Sequence, residues 1–431
     1  MEKIEIKDFV GIKDITLEIK KINVLIGPQA SGKSIVAKLL FYFKSFIPEI
    51  IKAATNGQYK RDLDKDFKSR FEEYFPPSSW GDGNFKVRYS TGQQFIEVHR
   101  KTKVKKNSSG IVLGYSDFYK DEFTKLRSLI DKQRVKAAEQ EIRASILSPR
   151  HDAIYDIQRA FLDEVTEKLD KSSIFSQLYI PAGRSFFANL KSSIFTFLSE
   201  SNAVDPFLIE FGTYYERMKN PYGLRRLRKR IDDRKLYDEI ALLNRKILCG
   251  KYLQEDGEDY LELNEGRKIN ISNSSSGQQE ALPLAIILGT IAFMKPLIGG
   301  SSIYIEEPEA HIFPAAQRDM IELISTAYNA RQDTLQFLIT THSPYVLTAF
   351  NNLLQAGSLA VDANDEALKE ISMHVSSSKW LYASDIAVYS LAGGYSQSIL
   401  DTDTELINTN IIDEVSNELS IQFDKLLEIE A

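Results

Sequence analysis

The chain has 431 residues, of which 43% are hydrophobic and 26% are charged, the balance of an ordinary soluble globular protein with two or three core units. Its formal net charge of −6 argues against indiscriminate coating of nucleic acid, although a local basic face is still allowed. The single cysteine, Cys249, excludes an intrachain disulfide and fits a reducing cytosol. Because the N-terminal sequence MEKIEIKDFVGIKD lacks the apolar core of a signal peptide, we expect a cytoplasmic location.

The N-terminal part of the chain predicts strands, a helix and a hairpin. Three strand-like runs, EKIEIKDF, DITLEIK and KINVLIG, lead into a glycine-rich turn, after which Ser34–Ile47 has the pattern of a helix. Residues 84–104 alternate with period two around a turn at Thr91–Gly92, which predicts an antiparallel hairpin. From residue 121 to residue 171 the pattern is helical, with interleaved charges typical of solvated helices.

The second half alternates strands and helices. The stretch NSSSGQQEAL (273–282) has the composition of a linker, yet an apolar run over 281–293 follows it and must be buried. The longer run Ala281–Gly300 is interrupted by proline, glycine and lysine and falls short of a clean span of about 20 apolar residues, so we predict a buried helix and no membrane partner. The other segments are strands at 177–185, 250–271, 301–307 and 335–343, helices up to residue 247 and a helix near 315–329.

This alternation around a glycine-rich turn predicts an α/β fold with a largely parallel core sheet. The N-terminal strands predict an antiparallel β subdomain, and the charged helical stretch predicts a helical insertion. We divide the chain into residues 1–118, which carry the glycine-rich turn and the hairpin, 119–247, which form the helical insertion, and 248–431, which complete the core.

Residues 27–34 read Gly-Pro-Gln-Ala-Ser-Gly-Lys-Ser and fit the phosphate-loop pattern G-x-x-x-x-G-K-[ST]. The loop follows an apolar strand and opens a helix, so backbone N–H groups and the helix N-terminus can face phosphate oxygens. Lys33 is placed to reach the β- and γ-phosphates of ATP, and the Ser34 hydroxyl suits a Mg²⁺ ligand. The predicted nucleotide-contacting residues are Gly27, Pro28, Gln29, Ala30, Ser31, Gly32, Lys33, Ser34 and Ile35.

An apolar strand, Ile303–Ile305, ends in two glutamates. Two carboxylates at the end of a buried strand are costly unless they hold a cation or a water there. The functional interpretation assigns Glu306 to Mg²⁺, directly or through water, and makes Glu307 the catalytic base or the water-positioning group. The alternative is a strand that runs out into a solvated acidic loop, and the phosphate loop in the same chain favours the functional interpretation.

A second apolar strand, Leu338–Thr341, ends in His342. If this strand neighbours the strand before the acidic pair, His342 lies beside Glu307 and can contact the γ-phosphate or orient the water, which makes it a candidate catalytic residue. A lone histidine is more often structural, so the assignment depends on that neighbourhood. His311, in the segment after the acidic pair, is ambiguous, and no role is predicted for His99, His151 or His374.

The order of these motifs resembles that of ABC-type ATPase heads, a class of P-loop NTPases. The N-terminal sequence IEIKDFVGIKDITLEIKKINVLIGPQASGKS resembles the RecF, SMC and OLD branch. The stretches YIEEPEAHIFPAAQ and LITTHSPYVL resemble the prokaryotic AAA-labelled proteins of that branch. Many of these act in phage defence, such as PtuA of Septu and retron systems and AriA of PARIS. The resemblance covers roughly residues 1–45 and 265–350.

The resemblance implies a further nucleotide contact at residues 275–278, which stand where other heads carry the signature L-S-G-G-Q. Ser275 takes the place of the signature serine, Ser276 replaces the first glycine, and Gly277 and Gln278 complete the motif. In such heads the signature of one head covers the nucleotide that another holds. The resemblance therefore implies a homodimer that sandwiches two ATP, through a signature helix that starts near Gln279, and leaves a higher oligomer open.

The same resemblance leaves the roles of some other residues undecided. It allows Arg184 either to approach the nucleotide or to pair with an acid. It assigns no Q-loop glutamine among Gln93, Gln94 and Gln177.

Two functions compete. In the first, the protein is a sensor and scaffold in anti-phage defence whose nucleotide state controls a toxic effector, with a nuclease as the expected kind. Since the sequence has no H-N-H pattern or metal-binding cluster, we expect a nuclease to be a separate polypeptide. In the second, the protein is a RecF-like ATPase of DNA repair or recombination that binds DNA directly. Two basic runs support this function, and the alternative is that both runs are ordinary solvated surface. They are Leu224–Lys235, with Arg225, Arg226, Arg228, Lys229 and Arg230, and the run of Arg100, Lys101, Lys103, Lys105 and Lys106.

Overall fold

The structure is a computed structural model that describes residues 2–81, 83–100, 110–143, 150–188, 205–219, 233–255, 257–294, 299–409 and 420–427. Its strands are β1 (Glu2–Phe9), β2 (Ile12–Ile19), β3 (Ile22–Ile26), β4 (Lys86–Thr91), β5 (Gln94–Arg100), β6 (Ile111–Tyr115), β7 (Ser176–Ile180), β8 (Gly250–Glu255), β9 (Glu258–Leu263), β10 (Lys268–Asn270), β11 (Ser301–Glu306), β12 (Leu335–Thr341), β13 (Ile386–Ala392) and β14 (Tyr395–Ser398).

The α-helices are α1 (Lys33–Lys44), α2 (Phe46–Thr55), α3 (Lys60–Tyr74), α4 (Asp117–Arg143), α5 (Arg150–Lys168), α6 (Pro206–Lys219), α7 (Arg234–Leu248), α8 (Ser276–Ile291), α9 (Pro314–Ala330), α10 (Pro344–Val361) and α11 (Asp365–His374). Short 3-10 helices cover Pro77–Ser79, Lys171–Ile174, Arg184–Ala188, Ile271–Asn273 and Ser377–Lys379.

The core is one 11-stranded sheet in the order β6-β5-β4-β1-β2-β14-β13-β3-β12-β11-β7. The five strands from β13 to β7 in this order run parallel. The strands from β2 to β6 pair antiparallel, and β8, β9 and β10 form a separate sheet. The predicted α/β fold with a largely parallel core and an antiparallel N-terminal β part is therefore confirmed, with both parts in one sheet because β14 pairs with β2.

The parallel strands lie between two apolar layers. β3 and β12 are buried along their whole length, as expected for strands covered on both faces. Successive side chains of a strand point to opposite faces: Val24 belongs to the apolar cluster that contains α8, and Leu25 belongs to the cluster that contains α1. The helix after the phosphate loop and the helix after the serine-rich stretch therefore pack on opposite faces of one sheet.

Several boundaries differ from the sequence prediction. The helix predicted over 34–47 ends at Lys44 and is followed at once by α2, and the helical region 121–171 contains two helices, α4 and α5. Within the segment 119–247, the strand predicted near 177–185 is β7, which pairs in parallel with β11 and is buried at Leu178–Ile180. The division of the chain at residues 118 and 247 stays a prediction. In the part of the chain that the structure describes, no helix is long and apolar enough to span a membrane.

A buried ion pair ties the end of α1 to the sheet. Lys44 Nζ lies 2.9 Å from Glu2 Oε1, and the two side chains are 1% and 2% exposed. Glu2 also accepts hydrogen bonds from the Tyr89 and Ser172 hydroxyls and the Gln336 amide. Lys44 also donates to Gln336 on β12, so the cluster joins α1 to β1 and β12.

We expect Glu2→Gln to lower the free energy of unfolding by about 3–5 kcal/mol, because it leaves the Lys44 charge buried without a counter-charge. Denaturant unfolding measures this loss. The matched control is Glu5→Gln on the same strand, whose ion pair with Lys3 is about one third exposed on both sides and should contribute only about 0–1 kcal/mol. Equal losses in the two variants would contradict the structural role of the buried pair.

Candidate nucleotide-binding site

The glycine-rich turn of residues 27–32 joins β3 to α1, as a phosphate loop requires. Lys33, the first residue of α1, donates from Nζ to the carbonyls of Gly27 and Pro28, both at 2.8 Å. The side chain is buried in the fold. Burial lowers the pKa of Lys33, and the carboxylates of Glu307 and Glu309 oppose that shift. The lysine therefore holds the loop closed and lies within the field of the acidic residues beyond it.

Two glycines permit the curvature of this loop. A Cβ at Gly27 would lie 2.1 Å from the carbonyl oxygen of Leu391, and a Cβ at Gly32 would lie 2.8 Å from the Ile12 side chain. Gly32 also has φ +96°, a conformation that only glycine adopts without strain. Of the other predicted contacts, residues 28–30 and Ser34 are exposed, while Ser31 and Ile35 are half-buried.

Three neighbouring strands bring the remaining predicted groups to the loop. β3, β12 and β11 are adjacent and parallel, so their carboxyl ends lie at one edge of the sheet, where α/β proteins bind ligands. The Nζ of Lys33 lies 3.5 Å from Nδ1 of His342. The Nε2 of His342 lies 3.4 Å from Oε1 of Glu307. The strands that end in Glu307 and His342 are therefore neighbours, which is the condition on which the candidate role of His342 depends.

Glu306 ends β11 in a partly buried position. Its Oε1 accepts a 2.8 Å hydrogen bond from the Tyr179 hydroxyl, and its Oε2 accepts a long one, 3.4 Å, from the Ala182 amide. Burial raises the pKa of Tyr179, so the phenol stays a donor. Mg²⁺ in nucleotide sites takes only one or two carboxylates beside phosphate and water, so the Glu306 carboxylate and the exposed Ser34 hydroxyl are oxygen donors of the kind that suits this ion. Tyr179 is a contact that the sequence did not reveal.

Glu307 follows β11 in a left-handed conformation, with φ 45°. Its amide donates to the Thr340 carbonyl at 2.9 Å, and its carbonyl accepts from the Arg184 guanidinium at 2.9 Å. The side chain is 40% exposed. Backbone contacts thus fix this residue while the carboxylate stays open to solvent beside His342.

Glu309 is a further acid at this site, for which the sequence predicted no role. Its Oε1 accepts 2.7 Å hydrogen bonds from the Thr341 hydroxyl and from the His342 amide. The turn that begins at Glu307 therefore holds the backbone of the histidine directly. The only sequence signal was a third carboxylate two positions after the acidic pair, which local pattern does not distinguish from a solvated loop.

The serine-rich stretch 273–282 is a helix start and not a linker. Ser275 is the N-cap of α8 and shares a capping box with Gln278, in which Ser275 Oγ accepts from the Gln278 amide at 3.3 Å and the Ser275 amide donates to Gln278 Oε1 at 3.1 Å. The helix begins at Ser276, three residues earlier than predicted, because this box satisfies the first turn. A Cβ at Gly277 would lie 2.5 Å from the carbonyl oxygen of His311, so glycine is needed for contact within this chain.

Arg184 pairs with an acid, which is one of the two roles that the sequence left open for it. The guanidinium is fully buried and lies 3.3 Å from Oε1 of Glu280 on α8. Burial lowers the pKa of Arg184, and the Glu280 carboxylate opposes that shift most strongly. Glu280 was not predicted. The sequence feature that points to it is its place directly before the apolar run ALPLAIIL, where an unpaired charge would be costly.

Other predicted residues lie elsewhere. Gln177 is on β7 and accepts from the Tyr304 hydroxyl at 2.7 Å, and Gln94 is on β5 near the far edge of the sheet. His311 is exposed, with φ 61°. Residues 220–232 and 101–109, which hold nearly all of the two basic runs, lie outside the described residues.

The loop, the buried parallel strands and the groups at their carboxyl ends define a P-loop domain of the ATPase type. A family model described as "AAA domain, putative AbiEii toxin, Type IV TA system" matches residues 22–348. This match spans more than half of the chain, and the chain belongs to that family.

Solved structures of SMC heads are also similar. One is an SMC head bound to the C-terminal winged-helix domain of ScpA, with 11% identity and TM-score 0.43 over 93% of this chain and 97% of the other. The SMC head of Thermotoga maritima has 10% identity and TM-score 0.35 over 92% and 97%. A head with an extended coiled coil bound to the C-terminal domain of ScpA, derived from Pyrococcus furiosus, has 12% identity and TM-score 0.37 over 100% of both chains.

Proposed function

We propose that the protein binds and hydrolyses ATP in an ABC-type head. The observation that carries the proposal is the chain of contacts from Lys33 through His342 to Glu307, at 3.5 Å and 3.4 Å. A phosphate-binding cation, a histidine and an exposed carboxylate thus meet at the ends of three adjacent strands. This is the set of groups that phosphoryl transfer to water needs: charge stabilisation, orientation and a base.

Each residue has a distinct role in this proposal. Lys33 leaves the loop carbonyls to bind the β- and γ-phosphates, while the loop amides bind their oxygens. Glu307 positions the attacking water or takes its proton, and His342 holds the same carboxylate and contacts the γ-phosphate. Mg²⁺, when bound, would be held by Ser34 and Glu306 and would neutralise charge on the phosphates.

We further propose that two copies assemble head to tail around two ATP. The Ser275 hydroxyl donates to Gln278 Oε1 within the first turn of α8. The Gln278 side chain also donates from Nε2 to the Leu248 carbonyl at 2.9 Å. Among the described residues, no hydrogen bond joins residues 275–278 to the loop of residues 27–35. The signature turn is therefore available to a nucleotide held by a second copy, where the Ser275 hydroxyl and the N-terminus of α8 favour phosphate.

The biological role we propose is that of a sensor and scaffold in anti-phage defence, which controls a separate effector, with a nuclease as the expected kind. The family description, which names a toxin of a toxin–antitoxin system, supports such a setting. The resemblance of YIEEPEAHIFPAAQ and LITTHSPYVL to phage-defence ATPases, such as PtuA and AriA, supports it further. The cytoplasm is the expected location.

Purification from the native host, with mass and bound partners measured with and without ATP, tests this role. We expect an ATP-dependent increase in mass and a co-purifying effector. Binding of duplex DNA at increasing salt separates the RecF-like alternative, since contacts to phosphates weaken steeply as salt rises. Tight, salt-dependent DNA binding with no protein partner would replace the scaffold role by direct action on DNA.

A further inference from the structure

Arg184 carries a charge in the interior of the fold and uses it to hold the acidic pair. The side chain is 0% exposed. Its guanidinium donates to the carbonyls of Glu306 at 2.7 Å and Glu307 at 2.9 Å, and to the Pro181 carbonyl at 2.9 Å. The backbone of both acids is therefore attached to one planar group.

The counter-charge comes from the helix that carries the serine-rich signature. Glu280 lies two residues after Gln278 and is 0% exposed. Its two oxygens accept from the Arg184 amide at 2.9 Å and the Ser185 amide at 2.7 Å. The Glu280 carbonyl also accepts from Arg184 Nε at 3.1 Å. Both ends of this residue are thus fixed to the segment that holds the acids.

A second contact links the same two regions. The carbonyl oxygen of His311, four residues after Glu307, lies so close to Gly277 that any Cβ would approach it to 2.5 Å. The first turn of α8 therefore touches the chain after the acidic pair as well as Arg184, which holds the backbone of that pair. Displacement of this turn must move the acidic pair or break a fully buried ion pair.

Buried ion pairs stabilise a fold only weakly, since desolvation offsets the attraction, and their clearest use is to fix one arrangement against another. We infer that Arg184 and Glu280 are positioning residues that couple the signature turn of α8 to the placement of Glu307 in the same chain. The inference rests on the proposed function. In a pair of heads, ATP held by one copy contacts the signature of the other and so sets the acid that acts on the other copy's own ATP. The two sites then hydrolyse ATP cooperatively.

Two variants test the coupling. Arg184→Lys keeps the charge but cannot donate to several carbonyls from one planar fork. Glu280→Gln keeps the shape and removes the counter-charge. For both we expect unchanged ATP affinity, a loss of kcat of about tenfold, and a Hill coefficient for ATP that falls from about two to about one. Hydrolysis rates across ATP concentration give both quantities.

The matched control is Glu2→Gln, which also removes the counter-charge of a fully buried pair, with Lys44, but touches neither the signature turn nor the acids. It should lose stability and keep the Hill coefficient. If Arg184→Lys and Glu280→Gln keep the wild-type kcat and Hill coefficient, or if Glu2→Gln loses the Hill coefficient equally, the coupling role is refuted. A wild-type enzyme that hydrolyses ATP without cooperativity also refutes it, whereas a wild-type protein that does not hydrolyse ATP refutes the proposed function itself.

Discussion

Glu307→Gln should bind ATP as the wild type does, lose turnover and accumulate as the proposed head-to-tail dimer closed around two ATP. The amide keeps the size of the side chain but cannot take a proton, and removal of a general base typically costs about 10²–10⁴-fold in kcat. The backbone contacts of residue 307, to Thr340 and Arg184, do not involve the carboxylate. The fold of the site therefore survives the substitution, and the effect falls on the chemical step.

Phosphate release measures turnover, and light scattering with ATP and Mg²⁺ measures mass. The closed dimer should accumulate because, in the proposed cycle, ATP binding closes the pair and hydrolysis opens it, in the manner of nucleotide-driven transitions. Glu370→Gln, an exposed glutamate on α11, is the matched control and should behave as the wild type. Normal hydrolysis in Glu307→Gln would show that another group activates the water.

Some parts of the candidate site follow from local sequence alone. The phosphate loop has a fixed spacing, and an apolar strand that stops at a charged residue marks where a buried strand leaves the core. The convergence of Glu307 and His342 required one more fact, that β11 and β12 are neighbours. Sequence order alone suggests this pairing, and the register of Glu306 opposite Thr340 establishes it.

Contacts between residues distant in sequence were not predictable. Arg184 and Glu280 are 96 positions apart, and each alone is a charged residue near an apolar run. Only the three-dimensional fold shows that one neutralises the other beneath the acidic pair. The same limit applies to β13 and β14, which lie in a C-terminal region of mixed pattern yet join β3 to the antiparallel strands.

Lys33→Ala should lose most of the affinity for ATP. A charge-assisted hydrogen bond contributes about 1.5–3 kcal/mol, so loss of the ammonium group should weaken affinity by about 10- to 100-fold. The lysine is already held at the loop by two carbonyls at 2.8 Å; burial lowers its pKa, and the Glu307 carboxylate opposes that shift. Because the ammonium group already lies at the loop, it only exchanges these carbonyls for phosphate oxygens on binding, and little further ordering of the side chain is needed.

The measurement is the rise in melting temperature with added ATP, which follows from affinity for the folded state. Lys38→Ala provides the control on the same helix, because Lys38 pairs with Asp205 at 2.8 Å and lies 4.6 Å from the Phe207 ring centre, away from the loop. Both variants remove one lysine from α1, so a change in helix propensity or net charge would affect them alike. A loss of the ATP-induced shift in Lys33→Ala alone assigns phosphate binding to the loop lysine. Equal nucleotide affinity in Lys33→Ala and the wild type would refute that role, and with it the proposed orientation of ATP toward Glu307.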